Sequence, residues 1–206
     1  MENNRLMEHT SPPTVGKETR DKIFAAAAKL FAARGYGSVS MREIADAAGV
    51  SKPMLYYYFE NKAGLCRALL EEGFQNLSQT WDEIARLDIP LIERFRRVVR
   101  AQFRHVRESP DLVRFHINFL LGPDEAGLAA EFRREHKPIV NILLRMFAEG
   151  QASGLFRSDI DPSVAINVFS GAVNIHVGQS ILLGGPPLDD DLADQLTQLY
   201  LHGVCA

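Results

Sequence analysis

Cysteine is nearly missing from this sequence. Cys66 and Cys205 are the only two in 206 residues. They form no metal-spaced or redox motif, which argues against a disulfide framework and fits a reducing, cytoplasmic compartment. Strand signals are equally scarce: no alternating run of Val, Ile, Thr and Tyr closes on a hairpin turn. There is no nucleophile elbow, phosphate loop, Glu-x-x-His pair or zinc spacing. Six histidines (His9, His105, His116, His136, His176 and His202) make no metal-spaced pair, so neither a metal nor a cofactor is expected. Residues 1–16 lack the apolar core of a signal peptide and read as a disordered tail.

What is present is helical periodicity. The first helix is expected from Glu18 to Arg34, with Ile23, Ala27, Leu30 and Phe31 on one face and Gly35 as its C-terminal cap. Ser40 and Glu43 form a capping box for a short second helix, whose inner side is Met41, Ile44, Ala45 and Ala48. Ser51 caps a third, which Lys52 and Pro53 open. Asn61 caps a fourth, through Leu65, Leu69, Phe74, Leu77 and Trp81. Further helices are expected over roughly 89–107, 110–121, 124–150, 162–183 and 188–203. Pro138 is placed to kink the third of these. The last carries Leu188, Leu192, Leu196, Leu199 and Tyr200. The fold class is therefore all-α.

Charge is unevenly placed. Residues 17–67 hold nine basic and five acidic residues, a net of +4. Residues 68–206 carry a net of −6, and the whole chain −3. A basic segment on an acidic body suits a polyanion partner for that segment alone, although a solvated face is the commoner meaning of such a run.

Two short helices joined through Ala48-Gly49-Val50-Ser51, behind a longer supporting helix, make a helix-turn-helix. The second helix of such a unit enters the DNA major groove. Its outward positions are Lys52, Pro53, Met54, Tyr56, Tyr57 and Tyr58. Lysine and tyrosine can bond phosphates, and Pro53 and Met54 can meet thymine methyls. Neighbouring tyrosines lie about 100° apart around a helix, so at least one ring must be exposed. Lys62 stands at a helix N-terminus, where the dipole disfavours it by a few tenths of a kcal/mol. A bound phosphate would account for it.

The stretch IFAAAAKLFAARGYGSVSMREIADAAGVSKPMLYYYFENKAGL resembles the DNA-binding domain of the TetR family of transcriptional regulators. The likeness covers residues 18–67 and is most specific over Leu-Tyr-Tyr-Tyr-Phe and the following Asn-Lys. It implies phosphate contacts for Tyr56 and Lys62. It also implies positions at or near bases for Arg42, Pro53 and Met54, and backbone contacts for Ser40 and Tyr57. With Ser51 and Lys52 these are the candidate DNA-binding residues. Tyr58 departs from the pattern, in which histidine is commoner. Beyond residue 68 the likeness rests on helix order, Gly154-Leu155-Phe156-Arg157 and Asp161-Pro162. The resemblance implies a homodimer and a ligand pocket in that half.

The expected layout is thus a helix-turn-helix DNA-binding domain over 17–67, then a helical ligand-binding and dimerisation domain over 68–206. An apolar or aromatic effector is expected, lined by Trp81, Phe103, Phe115, Phe119, Phe132, Phe147 and Phe169. Asn118, Asn141, Asn174 or His176 are candidate polar anchors, although His116 and His176 also read as core histidines. The 162–183 helix is apolar enough to raise a membrane span, but Asn167, Asn174, His176 and Gln179 oppose one. Its Ser170, Gly171, Ala172 and Gly178 permit close helix approach, so it and the 188–203 helix are the expected dimer seam. The expected function is a cytoplasmic repressor that binds a palindromic operator as a dimer and is released by a small molecule. An enzyme using the C-terminal pocket, or a DNA-binding module without a ligand, are the alternatives.

Overall fold

The computed structural model describes residues 13–205, with side chains from residue 16. Nine helices and no strand occur among them: α1 (Pro13–Arg34), α2 (Met41–Ala48), α3 (Lys52–Tyr58), α4 (Lys62–Ala85), α5 (Leu91–Glu108), α6 (Pro110–Leu121), α7 (Ala129–Ala152), α8 (Pro162–Leu183) and α9 (Asp190–Val204). The first helix begins five residues ahead of the expected Glu18, and takes in residues 13–16 of the expected tail. Residues 1–12 lie outside the described residues. The seventh helix starts later than expected. Asp124 accepts the backbone N–H groups of Leu128 and Ala129 and so fixes its entry. It then runs through Pro138 without ending.

Local chemistry sets the first turns. The Gly35 backbone is left-handed (φ 78°) and its N–H caps Phe31 at 2.9 Å. Gly49 likewise closes α2 at φ 67°. Both are conformations that side chains bearing a Cβ resist. Ser40 and Glu43 complete the capping box, and Ser51 and Asn61 cap α3 and α4. Ile23, Phe31, Ile44 and Leu55 form the tight centre of the first three helices, each at most 1% exposed.

α4 passes from that centre into the rest of the protein without a break, so the expected boundary at residue 67/68 falls inside one helix. A second aromatic centre surrounds α5. Phe95 meets Phe156, Phe169 and Tyr200 at centroid distances of 5.8, 5.3 and 6.3 Å. Arg94, almost fully buried, pairs with Glu149 on α7 and donates to the Ala85 carbonyl that ends α4. One guanidinium thereby ties three helices. Cys66 is buried, and burial pushes its thiol up to about 12.

Candidate DNA-binding surface and effector cavity

On α3, Leu55 and Phe59 point inward, and Phe59 stacks on Phe24 at 5.4 Å. The same helix leaves Lys52, Pro53, Met54, Tyr56 and Tyr57 outside. Tyr57 is 80% exposed, a large ring turned to solvent. Tyr58, expected outside, is half-buried instead: it packs edge-on to Tyr57 and its hydroxyl lies beside Gly16 on α1. One turn of helix allows only about two of three successive rings to face solvent, and the third serves packing.

Arg42 projects from α2 with its guanidinium 82% exposed, 3.8 Å from Asp46. Two of the candidate DNA-binding hydroxyls are already engaged. The Ser40 hydroxyl donates to Glu43 Oε2 at 2.7 Å, and Ser51 Oγ accepts from Met54 N. The Ser40 hydroxyl and backbone N–H, together with Arg34, hold the Glu43 carboxyl down at about 2. Lys62 differs most from the sequence reading. Its ammonium donates to the carbonyls of Tyr36 and Val39, both at 2.8 Å, and lies 4.2 Å from the centre of the Tyr36 ring. It therefore staples the α1–α2 turn to α4. Only one of its three protons remains for a phosphate.

In the second half, α4 to α8 enclose a cavity of about 600 Å³. Of the expected lining, Trp81, Phe169 and Asn174 are there, as is Phe132. Phe103, Phe115, Phe119, Asn118, Phe147 and His176 are not. Phe103 is fully buried in the core, and Phe147 packs on Phe156 at 5.1 Å. Phe115 sits against Phe31 of α1 at 5.8 Å, Phe119 stacks on Phe132 at 5.6 Å, and Asn118 donates to the Ala32 carbonyl of α1 at 2.9 Å. Phe115 and Asn118 thus join α6 to α1, while Phe119 packs within the second half. Asn141 lies on the outer side of α7.

The sequence reading missed Phe74, Gln102, His105, His116 and His136 in the cavity wall. Phe74 stacks on His116 with centroids 4.7 Å apart and rings within 5° of parallel, and meets Phe132 edge-on. Helical spacing of 102 with 105 on α5, and of 113 with 116 and 117 on α6, was the available signal. It says that these residues share a face, not what the face looks onto.

Burial, reinforced by nearby His105 and His136, pushes the His116 imidazole down to about 3. Burial lowers His105 and His136 as well. Above the ordinary value of 6.5 both folded and unfolded chains carry a neutral His116, so no penalty applies. As pH falls from 6.5 toward 3, only the unfolded chain takes up the proton, and stability drops by up to about 1.4 kcal/mol per pH unit for this one group. Urea unfolding at pH 7 and pH 5 should show that loss, and His116→Leu should make the profile flatter. An equally steep profile in the variant would remove His116 as its source.

An outward-facing recognition helix, held on a three-helix unit beside a helical half, defines a helix-turn-helix DNA-binding protein. The pattern described as bacterial regulatory proteins, tetR family, matches residues 23–69, and that described as tetracyclin repressor-like, C-terminal domain, matches 92–183. The chain belongs to the TetR family of transcriptional regulators, and is a regulator, not an enzyme. It is 30% identical to the transcriptional repressor NicS of Pseudomonas putida over 144 residues, 69% of this chain and 68% of NicS. It is 26% identical to the repressor KstR2 of Rhodococcus jostii over 204 residues, 96% of this chain and 98% of that one. The structure of FadR from Bacillus subtilis in complex with stearoyl-CoA has the same fold. Its TM-score is 0.77 at 22% identity, covering 89% of this chain and 98% of FadR.

Proposed function

We propose that this protein is a cytoplasmic repressor that grips a palindromic operator as a homodimer and lets go when an apolar molecule fills the α4–α8 cavity. Residues 17–67 serve as the DNA-binding unit and 68–206 as the sensing and dimerising unit. The observation that carries this reading is α6. His116 on α6 lines the cavity, while Asn118, two residues on, holds the Ala32 carbonyl of α1. The loop after α6 adds a second tie, as the Glu125 carboxylate accepts the Gly37 N–H at 2.7 Å. A ligand that moves α6 must therefore move the DNA-binding unit. A coupling of about 1–3 kcal/mol between effector and operator would be ordinary, and reciprocal. FadR, which shares this fold, is seen in complex with stearoyl-CoA, a ligand with a long acyl chain.

α8 supports the dimer. It is the one helix among the described residues long and apolar enough to cross a membrane. Val164, Val168, Gly171, Ile175 and Leu182 are exposed along it, the first four of them three to four residues apart, and the last three also border the cavity. Leu199 of α9, on the second helix of the expected seam, is 71% exposed. A second copy laid on this seam removes the stripe from water and places two recognition helices for the two halves of an operator.

At the operator, Arg42→Ala or Met54→Ala should relax sequence preference by about 1–3 kcal/mol at one base pair. Tyr56→Phe, which loses only a hydroxyl, should weaken all sequences alike. Titrating the protein on its own upstream DNA, with and without mutations in each half-site, reads both. Unchanged affinity and unchanged preference in all three variants would place the contact surface elsewhere.

A further inference from the structure

The cavity wall is peculiar in what it leaves out. Nearly a quarter of this chain is charged, yet no Lys, Arg, Asp or Glu occurs among the described residues that line the cavity. Leu120, Leu121, Leu182 and Leu183 are exposed at its edge, beside the uncharged Asn167 and Asn174. An anion brought into such a space sheds its water and meets no counter-charge.

The wall is nevertheless not featureless. Three residues of the wall carry a buried polar atom with no hydrogen-bond partner: Trp81 Nε1, Gln102 Oε1 and His116 Nε2. They come from three successive helices, α4, α5 and α6. Folded proteins leave few such groups unpaired without a reason. The indole can only donate and the Gln102 oxygen can only accept. His116 packs against Gly73, eight residues from Trp81 on α4, which is about 12 Å along the helix. These groups are thus spread along the wall, and Asn167, Ser170, Asn174 and Gln179 add uncharged polar groups on its α8 side.

We infer that the effector is an uncharged, elongated apolar molecule bearing neutral hydroxyl groups, which pair with Trp81, Gln102 and His116, and that the cavity excludes carboxylates and CoA thioesters. A hydroxyl both donates and accepts, so it can answer any of the three. The low basicity that burial imposes on the wall histidines keeps them neutral near pH 7, so they supply no cation for an anionic head either. The inference rests on the reading of this cavity as the effector site.

A matched series tests it on the full-length protein: 1-dodecanol, 1,12-dodecanediol, dodecanoate and dodecanoyl-CoA at pH 7.5. Binding is followed by Trp81 fluorescence, and operator release by gel shift. The diol and alcohol should bind at least tenfold more tightly than dodecanoate or the thioester, and should release the operator. Gln102→Leu, checked for folding by thermal melting, should cost the diol about tenfold and leave dodecanoate where it was. Dodecanoate or the thioester binding as tightly as the alcohol and releasing DNA would overturn the charge selection while leaving the effector site standing. Binding by none of the four, or binding without any change in operator affinity, would overturn the effector site and this inference together.

Discussion

A Val168→Glu variant should be monomeric and should lose operator binding by about a thousandfold or more. Val168 is 59% exposed on the outer stripe of α8, so the single chain folds with a glutamate there at little cost. In the seam of a dimer the same carboxylate would be desolvated opposite its own copy, and two like charges would face each other. Gly171→Leu tests the seam without charge. Among the described residues, apart from its chain neighbours and its own helix backbone, no heavy atom lies within 4 Å of where its Cβ would stand. Leucine is therefore tolerated within one subunit but holds two backbones apart. A monomer can engage only one half-site, and the gap between specific and non-specific binding, commonly 10³-fold or more, sets the scale of the loss. Light scattering at micromolar concentration reads the mass, and a gel shift the affinity. Variants that remain dimeric would move the seam off α8.

Lys62→Met should destabilise the folded protein by about 2–3 kcal/mol, and lower its melting temperature by roughly 5–10 °C. Methionine keeps the length and apolar stem of the side chain. It removes the charged donor shared by the Tyr36 and Val39 carbonyls, and the ammonium over the Tyr36 ring. Hydrogen bonds from a charged donor are worth about 1.5–3 kcal/mol each, and partial exposure of Lys62 brings the pair toward the lower end. Had Lys62 served only to hold a phosphate, the melt would not move and only the salt dependence of DNA binding would flatten. Thermal melting without DNA separates the two roles, and an unchanged melt would refute the staple.

The sequence by itself determined the first helices, their caps and the exposed face of α3. Ser40 with Glu43, Ser51, Asn61, Gly35 and Gly49 act within one turn of the chain, through hydrogen bonds and backbone angles that few other residues satisfy. Local information was enough for them, and enough to put Met54, Tyr56 and Tyr57 outside once Leu55 and Phe59 were read as inside. Only the tertiary structure decided what each helix face meets. Phe115 and Trp81 are both aromatic residues on helices of the same half, yet one packs on α1 and the other borders a cavity. The same is true of Lys62, whose acceptors lie 23 and 26 residues away in the chain, and of Leu199, whose exposure depends on what α9 leaves uncovered. Periodicity fixes the angle of a side chain around its own helix. The neighbour at that angle is set by how the helices pack against each other, and that arrangement depends on residues far apart in the chain.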